Sequence, residues 1–146
     1  MTTLFMSCSS SDDSSNSNNN AAQIQAVENA AESGTWRVAS YIDEGVDETN
    51  DFNGYDFTFS ANGTVMASNG TNTYNGTWSV TNSSNSNDDS SDDDIDFNLM
   101  FQVAADHDFD DLNDDWDIVS HSASTISLID VSGGNGGTDT LVFQKN

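Results

Sequence analysis

The sequence predicts an all-β domain, an antiparallel up-and-down barrel of about eight strands, with a β-sandwich as the alternative. Three observations lead to this prediction. Apolar residues alternate with polar ones over much of the chain after Gly34, which is the period of a strand with one buried face. The connections between these runs are turn-sized and hold no long crossover helix, so neighbouring strands are expected to pair antiparallel. Because each strand has one apolar face, the sheet must close on itself or fold over.

A short helix is predicted ahead of this domain, at residues 21–33. Its apolar residues recur at the spacing of one helical face: Ala21, Ala22, Ile24, Val27, Ala30 and Ala31. Asn20 is placed to cap its start and Gly34 to end it, and the helix is expected to pack on the β-domain. Residues 9–20, which precede it, are low-complexity Ser, Asn and Asp and are predicted to form a disordered tether.

The strands follow in order along residues 34–146. They are predicted at residues 35–42, 55–60, 64–67, 74–80, 95–101, 116–120, 125–131 and 140–145. Asn62-Gly63 and Asn69-Gly70 are hairpin turn signals, and the first is typical of a type I′ turn. A loop rich in Ser, Asn and Asp covers residues 82–94, and a glycine-rich loop joins the last two strands.

The charge of the chain is almost entirely negative. There are 25 acidic residues against two basic ones, giving a formal net charge of −23. Such a surface repels nucleic-acid phosphates and anionic lipid headgroups, so neither nucleic-acid binding nor electrostatic membrane docking is expected. A charged partner should be a cation or a basic protein, unless the charge only adapts the surface to salty surroundings.

Cys8 is the single cysteine, which excludes an internal disulfide. Phe5-Met6-Ser7-Cys8 resembles the end of a bacterial lipoprotein signal peptide, and the Ser and Asp run after it resembles surface lipoproteins of Bacteroidota. The resemblance implies that residues 1–8 end a signal peptide and that Cys8 carries the lipid. It also implies an outer-membrane lipoprotein of the cell envelope, exposed at the surface and held to the membrane by its acyl chains. No basic segment precedes the short apolar stretch, so either the true start lies upstream or Cys8 is an unmodified tail cysteine.

Gly34-Thr35-Trp36 at the start of the first strand is similar to the G-x-W motif of the lipocalin (calycin) superfamily, and the likeness extends over residues 34–146. It implies a lipocalin-like barrel whose floor is plugged by Trp36, with Lys145 packed over the ring. It also implies a small apolar ligand inside the barrel. The inward-facing candidates for binding it are Trp36, Phe57, Phe59, Trp78 and Phe97. Because an eight-stranded barrel is only just wide enough for its own side chains, the alternative is that these rings fill the interior.

The densest acidic stretch, residues 106–117, offers candidate calcium ligands. Asp106, Asp108, Asp110 and Asp117 fall at positions 1, 3, 5 and 12 of a calcium-loop spacing. Asp111 replaces the glycine expected at the sharp turn, and Asp117 is shorter than the usual bidentate Glu. The alternative is a solvated acidic turn, and no other cofactor is indicated.

The sequence contains no pattern typical of an enzyme. His107 and His121 are the only histidines; no nucleophile turn accompanies them, and they do not form a zinc-ligand set. The predicted function is therefore a non-catalytic cell-envelope lipoprotein domain with a binding or scaffolding role. Two alternatives stay open: a carrier of a small apolar ligand, and a calcium-dependent recognition or adhesion module. No protein partner is indicated.

Overall fold

The computed structural model describes residues 16–82, 95–131 and 137–146. One α-helix, α1, comes first, at Asn16–Ala31. The strands that follow are β1 Thr35–Asp43, β2 Val46–Asp47, β3 Asp56–Phe59, β4 Thr64–Ser68, β5 Thr73–Asn82, β6 Ile95–Phe101, β7 Asp114–His121, β8 Thr125–Val131 and β9 Thr138–Lys145. Two short 3-10 helices occur, one before β3 and one before β7, at Thr49–Phe52 and Asp108–Leu112.

Strands β1 and β3 to β9 form a closed antiparallel barrel of eight strands. Each pairs with the next along the chain, and β9 returns to pair with β1. That last pairing places Trp36 opposite Lys145 and Ile42 opposite Thr140. The two-residue β2 only extends the end of β1. Because the first and last barrel strands pair with each other, the predicted barrel is confirmed and the sandwich alternative is excluded.

The helix is longer at its start than predicted. It begins at Asn16, so residues 16–20, which the sequence predicts as part of the tether, are helical. Asn is a poor helix former, and only a tertiary contact reveals why the extra turn forms. The Asn20 side chain is 8% exposed, and its Nδ2 donates to Asn82 Oδ1 at the end of β5, 2.7 Å away. Residues 1–15 lie outside the described residues, so the expectations for them stay predictions.

The Asn62-Gly63 hairpin turns by a different geometry from the predicted type I′. Such a turn needs positive φ at both central residues, but only Gly63 has it, at +86°. The Gly63 N–H donates to Ser60 O and the Ser60 N–H to Thr64 O, which places a bulge after the turn. Asn62 instead accepts from the Thr64 N–H and hydroxyl. The hairpin prediction was correct, and the turn type was wrong because the Asn side chain stabilises the local turn.

Both ends of the barrel are covered. At one end, here the floor, α1 packs with Val27 and Ala31 fully buried. At the opposite end, here the roof, the two 3-10 helices insert the buried side chains of Phe52, Phe109 and Leu112. No helix within the described ranges is both long and apolar enough to cross a membrane.

Candidate functional site

The five side chains predicted to line a ligand cavity are all core residues. Trp36, Phe57, Phe59, Trp78 and Phe97 are each at most 5% exposed. Phe59 lies edge-on to Trp78 with ring centroids 5.2 Å apart and to Phe97 at 5.5 Å. Trp78 also lies 5.6 Å from Phe97. The interior at this level is therefore occupied by the protein's own rings, which favours the filled-barrel alternative.

Trp36 connects the floor helix to the barrel. Its Nε1–H donates to the carbonyl oxygen of Ala31, the last residue of α1, at 2.9 Å. Lys145 Nζ lies 5.2 Å from the ring centroid and donates to Ser33 Oγ at 2.6 Å. The predicted cation–π contact between the last strand and this tryptophan is confirmed.

Phe109 closes the roof, although its aspartate neighbours along the chain gave no prediction of burial. It is 1% exposed, and its ring contacts several other aromatic rings at centroid distances of 4.8–5.9 Å: Phe52, Tyr55, Phe57, Tyr74, Phe101 and His107. Phe109 and Leu112, three residues apart in the acidic stretch, were the available signal of a buried helical turn.

The candidate calcium ligands are distributed over different elements. Asp106 lies in an exposed turn, Asp108 and Asp110 lie on the second 3-10 helix, and Asp117 is an exposed residue on β7. Asp110 Oδ1 accepts from Asn113 Nδ2 at 3.0 Å. Among the described residues, no group of three or more His, Cys, Asp or Glu is arranged to hold a metal ion. Calcium binding by these residues stays a prediction.

His107 acts as a helix cap. Its Nδ1 accepts from the Phe109 N–H at 3.1 Å, and its ring lies 4.6 Å from that of Tyr74. This bond satisfies a free N–H at the start of the second 3-10 helix. His121 is a partly exposed residue at the end of β7.

Two carboxyl pairs, which the sequence did not single out, occur on the barrel. Asp43, at the end of β1, is hydrogen-bonded to Asp139 on β9; burial and this bond raise the pKa of Asp43 to about 6. Asp114, at the start of β7, is partly buried next to Asp115. Burial and the hydrogen bond to Asp115 raise the pKa of Asp114 to about 6. The first pair is visible only from the pairing of β1 with β9. The neighbouring Glu44 N–H also donates to Asp139 Oδ1, although 95 residues separate these two in the sequence.

The Asp43 pair makes stability depend on pH. Its raised pKa means that the folded protein holds this proton more tightly than the unfolded chain, so the stabilisation is present at low pH and lost as pH rises through about 6. We expect Asp43→Asn to raise the free energy of unfolding at pH 7.5, by roughly 0.5–1 kcal/mol after allowance for solvent screening. At pH 4 the difference should vanish.

Urea unfolding at the two pH values measures this effect. Asp106→Asn, at an exposed turn, is the control that removes one charge away from the pair. An equal gain at both pH values, or the same gain in the control, would show that general charge repulsion and not the carboxyl pair is responsible.

A groove of about 490 Å³ lies on the outer face of β5, β6 and β7. The ladder between β6 and β7 ends at the Leu99–Asp114 pair, so on this side β6 continues for two residues beyond β7. Asn113 bridges this gap: its Oδ1 accepts from the Phe101 N–H, and its Nδ2 donates to Phe101 O. The groove is lined by Thr77, Trp78, Ser79, Asn98, Leu99, Met100, Asn113, Asp114 and Asp115.

The fold of the chain is similar to that of a protein from Bacteroides. The chain is similar to a DUF4847 family protein from Bacteroides vulgatus, with a TM-score of 0.52 and 19% sequence identity. The match covers 82% of this chain and 97% of that one. No family model matches the chain, and no curated protein does. At this identity the likeness shows the barrel fold alone.

Proposed function

We propose that the chain is a non-catalytic lipoprotein domain of the cell envelope, and that its outer surface performs a binding or scaffolding role. The observation that supports this most directly is the filled barrel, closed by α1 at the floor and by two 3-10 helices at the roof. A carrier of an apolar ligand needs an interior space, whereas the central rings here contact one another. A binding partner of such a barrel would therefore be recognised by its outer surface and the acidic groups there.

The proposed role as a binding domain, and not an enzyme, is consistent with the positions of the titratable side chains. His107, the candidate general base nearest the roof, is committed to a helix cap through its Nδ1. The two carboxyl pairs lie at different places on the barrel, one between β1 and β9 and the other at the start of β7. Carboxyl pairs with a raised pKa also occur as structural features of proteins. Here each pair stabilises the protonated form of one aspartate.

The proposed membrane attachment depends on Cys8 and on the Bacteroidota-type sequence around it. The similarity in fold to a Bacteroides protein is consistent with that origin. A lipid on Cys8 would place the barrel at the end of a polar segment, with its surface presented to the surroundings. Two or more acyl chains are needed for stable anchoring.

Expression of the gene with its upstream coding region in a Bacteroides host tests the anchor. We expect the mature protein to sediment with membranes and to carry a diacylglyceryl mass increment on Cys8. The matched Cys8→Ser variant should lose the increment and leave the membrane fraction. An intact, unmodified Cys8 in wild-type protein from this host would contradict the proposal.

A further inference from the structure

The groove on β5, β6 and β7 has a chemical character that differs from the rest of the acidic surface. Ser79, Asn98 and Asp115 stand opposite one another across the three strands. Met100 lies in the next row, opposite Thr77, and is 62% exposed. The groove thus has an aliphatic thioether surface on one side and oxygen atoms on the other.

The polar groups of the groove are mostly acceptors. Asp114 and Asp115 contribute carboxylates, and Asp114 Oδ1 accepts from the Asp115 N–H at 2.8 Å. Asn98 Nδ2 donates to β5, to Ser79 Oγ at 3.2 Å and to Thr81 Oγ1 at 2.9 Å, which turns the amide oxygen away from β5. These acceptor oxygens suit a ligand that donates hydrogen bonds and carries a positive charge.

Neither basic side chain of the protein can neutralise this groove. Arg37 and Lys145 are the only two in the sequence, and both lie where β1 pairs with β9. In the ring of eight strands, β6 is four strands from β1 in either direction. Arg37 is bonded to Gln144 Oε1 at 2.6 Å, and Lys145 is held on Trp36. No lysine or arginine of this protein can therefore act as the counterion of the groove, and a cation bound there must belong to a ligand.

The shape of the groove favours a small molecule over a peptide strand or a metal ion. An added strand needs free backbone groups on the strand edge, and the Asn113 amide occupies those of Phe101. A hard divalent cation takes about six to eight oxygens, and no group of three metal-ligating side chains is found in the described ranges. A volume of about 490 Å³ is within the size range of sites for small ligands.

We propose that this groove binds a small organic ammonium ion, with its charged nitrogen at Asp114, Asp115 and the oxygen of Asn98 and its aliphatic part along Met100. This deepens the proposed role of the outer surface in binding, and it does not depend on the lipid anchor.

The test is a titration of the 146-residue protein at pH 7.5 with n-hexylamine, followed by amide chemical shifts. A primary alkylamine is protonated at this pH, as a lysine side chain is. We expect saturable shifts confined to Thr77, Ser79, Asn98–Met100 and Asp114–Asp115. Hexan-1-ol, which has the same carbon chain without the charge, should bind about tenfold more weakly or less, because it lacks charge-assisted hydrogen bonds.

Matched variants separate a specific site from general attraction to an acidic protein. Asp114→Asn/Asp115→Asn removes the carboxylates and should weaken amine binding about tenfold or more. Met100→Lys, at an exposed position, places a cation in the groove and should weaken it as much. Glu28→Gln/Glu32→Gln removes the same charge from the end of α1 and the turn after it, and should change the dissociation constant by less than about twofold, because screening limits distant charges.

Three outcomes would overturn the proposal. Shifts that spread over the surface without saturating would show only a diffuse counterion cloud. Equal weakening by the Glu pair and the Asp pair would show that net charge alone attracts the amine. Hexan-1-ol binding as well as hexylamine would show an apolar site and not an ammonium site. None of these outcomes would affect the proposed anchor, which is read from the mass of Cys8.

Discussion

Trp36→Ala is expected to lower the free energy of unfolding by about 3–5 kcal/mol, the usual cost of deleting a fully buried large aromatic side chain. The reason is that three elements depend on one ring. Trp36 is 0% exposed, its N–H is bonded to the end of α1, and Lys145 lies on its face. Total stabilities of small domains are about 5–15 kcal/mol, so this variant should be close to its unfolding threshold.

Urea unfolding followed by far-ultraviolet circular dichroism measures this loss. Trp36→Phe keeps much of the volume but loses the bond to Ala31 O, and should cost about 1–2 kcal/mol. Val119→Ala, at a residue 62% exposed on β7, is the control and should change stability by less than about 0.5 kcal/mol. A loss below about 1 kcal/mol for Trp36→Ala would mean that the floor helix does not depend on this ring.

Phe109→Ala is expected to cost a similar amount, about 3–5 kcal/mol, and also to create a binding site that the wild-type protein lacks. The phenyl ring of Phe109 fills the space under the roof between the rings of Phe57, Phe101 and Tyr74. Its removal should leave an apolar cavity of the order of 100–150 Å³, a size that binds benzene in engineered cores.

Thermal unfolding with and without benzene tests this consequence. Benzene should raise the melting temperature of Phe109→Ala, because a ligand that binds only the folded state stabilises it, and should leave the wild-type melting temperature unchanged. Phe109→Leu should cost about 1–2 kcal/mol and supplies a folded variant if the alanine substitution prevents folding. An equal rise for the wild-type protein would reveal an interior space already present, and would favour the apolar carrier over the proposed surface role.

The alternating pattern of the sequence was sufficient to predict most of the barrel. Phe57 and Phe59, or Phe97 and Leu99, stand two residues apart because strand side chains alternate between faces, and all four are buried. The positions of eight strands followed from this period, with bounds close to those observed. The predicted contact of Lys145 with Trp36 was also confirmed.

Elements that depend on distant contacts were not predictable. The second 3-10 helix lies in a run of aspartates, where composition predicts a solvent-exposed loop, and the burial of Phe109 and Leu112 explains its order. The start of α1 is Asn-rich, and Asn20 in it contacts Asn82 at the far end of β5. In both cases a local sequence signal for loop was outweighed by packing against the barrel.

The candidate site shows the same division. Sequence alone identified large side chains on the inner face, but an alternating pattern cannot distinguish rings that line a cavity from rings that fill one. Asp106 and Asp117 have calcium-loop spacing in the sequence, but the chain between them folds into a 3-10 helix and the start of a strand, and calcium binding there stays a prediction. The groove at Asp114 was not visible in the sequence, because it forms where β6 extends beyond its partner strand.

By itself, the sequence determined the fold class, the order of the strands and the acidic character of the surface, since these depend on local period and composition. It also carries the prediction for Cys8, which lies outside the described residues. The tertiary structure alone decided that the barrel is closed, that the central aromatic rings pack against one another, and that, among the described residues, two carboxyl pairs and a groove form on it. These features arise from pairing and packing between residues far apart in the chain, such as Asp43 with Asp139, and no local pattern encodes such distances.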